Sequence, residues 1–301
     1  MKLRIQKSVP VKCLTLVCGA LSTLLFSPLA ASASAGDSSA KGSARESIAS
    51  PLSPPVPYAD LADLAGPAGL VVKAQVRKVA PVEPDRARGV RSGWSRVYIE
   101  AKTEAVLGGR TALGEALRYL VDLPLDAKGK LPKLAKRSVI IFAQPVAARP
   151  GELQLVAPDA QLMWDPALEA RLKSILTEFY AAGAPPAVTG LREAIHVSGA
   201  LAGEGESQFF LATATGNPAA ITVVRSSGGE ARWSVSFSEL VETGAPPPAR
   251  DTLAWYRLAC FLPGQLPQGT ILSTAADDRA AAVRDYRFVI EQLGSCSRLR
   301  R

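Results

Sequence analysis

The chain has 301 residues, of which 48% are hydrophobic and 21% charged, with a formal net charge of +8 and one histidine. The hydrophobic content is enough for a full core, and a single histidine excludes a histidine-rich zinc site. Four of the 35 basic residues and none of the 27 acidic ones precede residue 36, which leaves a net charge of +4 on the rest. That balance is ordinary for this size and does not indicate nucleic-acid binding.

The first 35 residues have the pattern of a signal peptide. Four basic residues precede an apolar run over 13–26, which is shorter than the roughly 20 residues that span a bilayer. Two small-x-small cleavage sites follow, at 31–33 and 33–35, and the choice between them stays open. We therefore expect a periplasmic or secreted protein that is not transmembrane after the signal is cleaved.

The first half of the remaining chain predicts a β-rich domain. Residues 36–57 are rich in Ser, Ala and Pro and predict a flexible leader, and 58–65 predict a short helix. Alternating or continuously apolar segments then predict five strands, at 70–77, 96–107, 117–123, 138–143 and 152–156. Five short strands favour a small antiparallel barrel over 58–164, of the oligonucleotide/oligosaccharide-binding (OB) or netrin-like type.

The second half predicts a different arrangement. A linking helix lies within 165–186, with Asp165 as its cap and Pro166 in its first turn. Residues 187–301 then predict an antiparallel meander, with strands at 208–214, 220–225 and 231–237. Two helices follow, the first over 252–261 with Asp251 as its cap and the second over 276–293. The predicted fold class is α+β, mostly β.

Two of the four cysteines, Cys13 and Cys18, lie in the predicted signal, which leaves Cys260 and Cys296. In an oxidising compartment, an even pair of cysteines predicts a disulfide. The bond would hold the last helix in place, and the absence of a CxxC motif favours a structural role over a redox one.

The catalytic patterns that the sequence offers are weak. His196 with Ser207 or Ser198 and a carboxylate would form a serine-hydrolase triad. However, 205–209 lacks the closing glycine of a nucleophile elbow and leads into a strand, whereas that elbow turns from strand into helix. His196 lies between apolar neighbours, where a structural role is the simpler interpretation. No cofactor motif is present, since the glycine-rich stretch at 199–206 matches neither a dinucleotide fingerprint nor a P-loop.

A basic loop separates the third and fourth predicted strands. It carries five cations and one acid: Lys128, Lys130, Lys133, Lys136 and Arg137, with Asp126. One interpretation is a binding patch for an anionic envelope polymer or another anionic partner, and the other is a solvated loop whose lysines keep a sheet edge soluble. Nucleic acid is not expected as the partner, because no aromatic residues alternate with the cations.

Three segments, 117–126, 251–263 and 285–293, resemble a group of exported bacterial proteins without an assigned function. The resemblance covers most of the chain after the predicted signal. It implies a Gram-negative-type envelope location and supplies no catalytic residues.

These observations lead to one main hypothesis and one alternative. The main hypothesis is an exported, non-enzymatic binding or envelope-assembly protein, whose partner is an envelope protein or an anionic envelope polymer. The alternative is a serine hydrolase that uses Ser207 or Ser198 with His196.

Overall fold

A computed structural model describes residues 56–238 and 244–300, so the predicted signal peptide and nearly all of the predicted leader lie outside the described residues. The described chain contains antiparallel sheets and four α-helices, which confirms the α+β, mostly β class. None of these helices is both long and apolar enough to cross a membrane.

The first sheet contains six strands that follow helix α1 (Tyr58–Ala65). They are β1 (Leu70–Pro81), β2 (Trp94–Gly109), β3 (Ala116–Pro124), β4 (Ser138–Pro145), β5 (Leu153–Leu155) and β6 (Gln161–Met163). Their order is β3-β2-β1-β4-β5, and β6 also pairs with β4. These neighbouring strands all pair antiparallel. The pairing of the described strands does not form a closed ring, so the predicted barrel is not confirmed.

Side-chain alternation explains which face of this sheet is buried. In β1, Val72, Ala74 and Val76 are fully buried, whereas Lys73 and Gln75 on the other face are partly exposed. In β4, residues 139–143 are all buried, as their continuous apolar run predicts for a strand that is covered on both faces. Helix α2 (Pro166–Tyr180) packs against this core with a buried stripe of leucine and isoleucine.

The second sheet contains four antiparallel strands in the order β10-β9-β8-β7. They are β7 (Val188–Ser198), β8 (Gly205–Thr213), β9 (Ala220–Arg225) and β10 (Ala231–Ser236). Strand β7 was not among the predicted strands. Its alternation is interrupted by register shifts between Val188 and Gly190 and between Leu191 and Glu193, which obscure the period in the sequence.

The helix caps confirm one prediction and correct another. The Asp165 carboxylate accepts a hydrogen bond from the Leu168 backbone N–H at 2.8 Å, as predicted for the start of α2. Helix α3 (Leu253–Ala259) is capped by Thr252, whose hydroxyl accepts from the Trp255 N–H. The predicted cap Asp251 is wrong because that residue lies one position too early, with a φ of 60°. Helix α4 (Ala276–Leu293) has the predicted bounds.

The predicted disulfide joins Cys260 to Cys296 and fixes the start of a C-terminal tail. The tail then crosses to α1. The Arg298 guanidinium donates two hydrogen bonds to the Asp63 carboxylate, at 2.6 and 3.2 Å. The backbone N–H groups of Leu299 and Arg300 donate to Asp60, whose side chain is almost fully buried. The last residues described therefore hold α1 in place.

We expect the Cys260→Ser/Cys296→Ser double variant to be less stable than the oxidised protein. The bond spans 36 residues, and the loop-entropy relation gives a loss of about 3–4 kcal/mol in the free energy of unfolding. Urea denaturation of both proteins measures the difference. An unchanged unfolding midpoint would show that the tail is held by its contacts with Asp60 and Asp63 alone.

Candidate functional site

A buried polar cluster joins the second sheet to α4. His196 lies on β7, Ser207 on β8, Arg225 on β9 and Asp285 on α4. The strand register places His196 directly opposite Ser207 on the face that packs against α4. Ser207 and Asp285 are fully buried, and His196 is 6% exposed. The structure thus brings together two of the three predicted hydrolase residues and supplies a carboxylate.

The hydrogen bonds of this cluster lead to the Asp285 carboxylate. The Ser207 hydroxyl donates to Asp285 Oδ2 at 2.6 Å, and Arg225 Nε donates to Asp285 Oδ1 at 2.5 Å. The His196 Nδ1 atom lies 2.8 Å from Ser207 Oγ. A serine hydroxyl has only one proton, and an aspartate carboxylate can only accept it. With the Ser207 proton in the bond to Asp285, the contact between His196 and Ser207 needs the tautomer that carries its proton on Nδ1.

This order differs from that of a hydrolytic triad. In a triad the imidazole lies between the serine and the carboxylate and takes the serine proton as a base. In this cluster Ser207 lies between the other two groups, and His196 Nδ1 is 3.7 Å from Asp285 Oδ2. In the tautomer with the proton on Nδ1, the histidine atom that faces Ser207 is a donor and does not accept the serine proton. The cluster is built to satisfy a buried carboxylate.

The third hydrolase candidate, Ser198, belongs to a separate contact. Its hydroxyl donates to Asp278 Oδ1 at 2.8 Å, at an exposed position near the start of α4. The backbone of His196 is held by Ser273, whose hydroxyl accepts from the His196 N–H at 2.9 Å. These two contacts fix β7 to the first turn of α4 and to the segment before it.

Sequence reasoning missed Asp285. The residue is three positions after the buried Ala282 and four before the buried Val289, so helical spacing puts a carboxylate on the buried face of α4. That spacing is a signal for a paired buried charge. The identity of the partner could not be found in this way, because Arg225 is 60 residues earlier in the chain.

The basic loop lies between β3 and β4, and its five cations are all exposed. Its one acid, Asp126, accepts backbone hydrogen bonds from Lys128 and Lys130, both at 2.8 Å. The five cations form no ion pair with any residue that the structure describes. Leu134 is 4% exposed and anchors the middle of the loop in the core. The loop therefore carries an exposed net positive charge, and Leu134 anchors it to the core.

Within residues 56–238 and 244–300, no group of three or more His, Cys, Asp or Glu side chains is arranged to hold a metal ion. No protein-family model matches the sequence, and a search of curated proteins gives no significant match.

We expect Asp285→Asn to destabilise the protein by about 3 kcal/mol or more, because it removes the charge that compensates the largely buried Arg225 guanidinium. Asp277→Asn is the matched control. It changes an exposed carboxylate of the same helix, and its expected effect is within about 0.5 kcal/mol. Urea denaturation measures both. Equal effects of the two substitutions would contradict the role given to the buried cluster.

Proposed function

We propose that this chain is an exported, non-enzymatic binding or assembly protein of the bacterial envelope. One observation carries the proposal: the Ser207 hydroxyl is fully buried and is hydrogen-bonded on both sides, to Asp285 and to His196, so it is not exposed to a substrate. A Ser–His–Asp set in this order stabilises the fold. It gives a substrate neither an activated nucleophile nor access from the surface. The alternative of a serine hydrolase through Ser207 or Ser198 has no comparable support.

The proposed location follows from the N-terminal signal pattern and is supported by the disulfide. A bond between Cys260 and Cys296 suits an oxidising compartment such as the periplasm or the exterior. The resemblance to exported bacterial proteins points in the same direction.

We further infer that the first sheet is an incompletely closed barrel of the OB or netrin-like type. Two backbone hydrogen bonds support this inference, from Arg118 N–H to the Gly151 carbonyl at 2.8 Å and from Asp122 N–H to the Pro158 carbonyl at 2.7 Å. They link β3 to the segment around β5, which are the two ends of the strand order. A parallel bridge between Arg118 and Glu152 adds to this link. Such a fold carries no function by itself, but it presents a continuous outer face for binding.

The basic loop is the proposed contact for an anionic envelope polymer. Its support is the exposure of Lys128, Lys130, Lys133, Lys136 and Arg137, together with the use of the neighbouring Asp126 by backbone groups. Charges that have no partner in the protein keep their field available to a ligand.

We expect a variant with these five residues changed to Gln to lose retention on an anionic resin. The wild-type protein should elute at a higher salt concentration, because the interaction is electrostatic and is screened by ions. The charge-matched control changes five other exposed arginines to Gln: Arg86, Arg88, Arg110, Arg232 and Arg287. Equal loss of retention in the two variants would show that net charge, and not the loop, determines binding.

A further inference from the structure

Three concavities follow one another along the outer face of the first sheet. Their volumes are about 750, 320 and 700 Å³. Arg118 lines both the first and the second, while Arg77 and Lys102 line both the second and the third. We call this row of concavities the outer track. It runs from the groove between β3 and the segment around β5 to the side of β1 that faces α2.

The charges along the outer track leave two arginines without a partner. Six carboxylates line it: Glu100, Glu104, Glu115, Asp122, Glu152 and Glu169. Five of them form ion pairs with lysine or arginine at 2.7–3.6 Å. The sixth, Glu104, accepts a hydrogen bond from the Ser138 hydroxyl at 3.2 Å. Arg77 and Arg118 are both exposed and form no ion pair with any described residue.

Two of the paired carboxylates have a lowered pKa. At the far end of the outer track, Glu169 accepts hydrogen bonds from Lys173 and from the Trp164 indole N–H, and these bonds lower its pKa to about 2. Lys102 and, more weakly, Arg77 lower the pKa of Glu115. Both acids are paired with lysines, so Arg77, which acts on Glu115 without forming an ion pair with it, and Arg118 can each receive a ligand anion.

The positions of the two arginines suit an extended ligand. Arg118 is on β3 and Arg77 is on β1, so two strand spacings, or about 10 Å, separate their backbones. A register shift between Val76 and Lys78 places Arg77 in a bulge. A guanidinium group binds a carboxylate or phosphate through two parallel hydrogen bonds. A linear polymer with repeated anionic groups would satisfy both arginines along one path.

The basic loop continues this path. The Lys136 N–H donates to the Val76 carbonyl at 2.8 Å, and the Val76 N–H donates to the Arg137 carbonyl at 2.9 Å. The end of the loop is thereby fixed beside Arg77. Lys136 and Arg137 of the loop therefore lie near Arg77 of the outer track.

The geometry points to a linear acidic polysaccharide as the ligand of the outer track, an inference that rests on the proposed binding function and names its ligand class. Sugar rings pack against the apolar face of an aromatic side chain, and the half-buried Tyr98 lines the first concavity. Trp164 lines the third, although Lys73 lies over its ring at 3.6 Å. Single-stranded nucleic acid would require a series of free aromatic platforms, which these two residues do not supply.

The test measures binding of alginate, a linear polyuronate, by isothermal titration calorimetry. The variant is Arg77→Gln/Arg118→Gln, and the matched control is Arg86→Gln/Arg110→Gln, which changes two exposed arginines outside the outer track. We expect the first variant to bind alginate at least about tenfold more weakly and the control to match the wild-type protein. Neutral dextran should not bind. Circular dichroism checks that both variants are folded.

The possible results distinguish the binding site proposed on the outer track from the more general proposed function. If the five-residue loop variant loses alginate binding and the Arg77/Arg118 variant retains it, the outer track is wrong and the binding function stands. If the wild-type protein binds vesicles that contain an anionic lipid but not alginate, the acidic polysaccharide is the wrong ligand class. If it binds neither, the anionic-ligand function itself is wrong. Tighter binding of single-stranded DNA through the same two arginines would overturn the choice of a polysaccharide.

Discussion

The second half of this structure depends on one buried charge. Asp285 has no exposed surface, and an isolated carboxylate in that position would be strongly unfavourable. Three strands of the second sheet each supply a residue to the cluster around it: Arg225 and Ser207 bond to it directly, and His196 bonds to Ser207. The same carboxylate therefore fixes α4 against β7, β8 and β9. It also uses the one serine proton that a hydrolase would need.

Two groups of charged side chains differ in whether they have partners within the protein. Around α4 and along the C-terminal tail, carboxylates such as Asp60, Asp63 and Asp285 have all their partners within the protein. On the outer face of the first sheet, Arg77 and Arg118 form no ion pair with any residue that the structure describes. Interior networks with every member paired stabilise the fold, whereas exposed charges without partners are available to a ligand. This contrast is the basis of the proposed binding function.

The elements with strong periodicity could be predicted from the sequence, and the contacts between distant elements could not. The apolar run of β4 and the bounds of α4 needed only local pattern, while β7 was missed because its bulges interrupt the alternation. The sequence offers His196 and Ser207 as a possible pair, and the structure places them 2.8 Å apart. Their roles depend on which atom receives the serine proton, and that is decided by Asp285, 78 residues after Ser207.

The most direct test of the non-enzymatic account is the reaction of the folded, oxidised protein with a fluorophosphonate, a reagent that labels activated serines. Intact-mass and peptide mass spectrometry would locate any adduct. The account predicts no labelling of Ser207 or Ser198, because Ser207 is fully buried and bonded to Asp285 and Ser198 is bonded to Asp278. An adduct on either serine that disappears in His196→Ala would contradict it and establish a histidine-activated nucleophile.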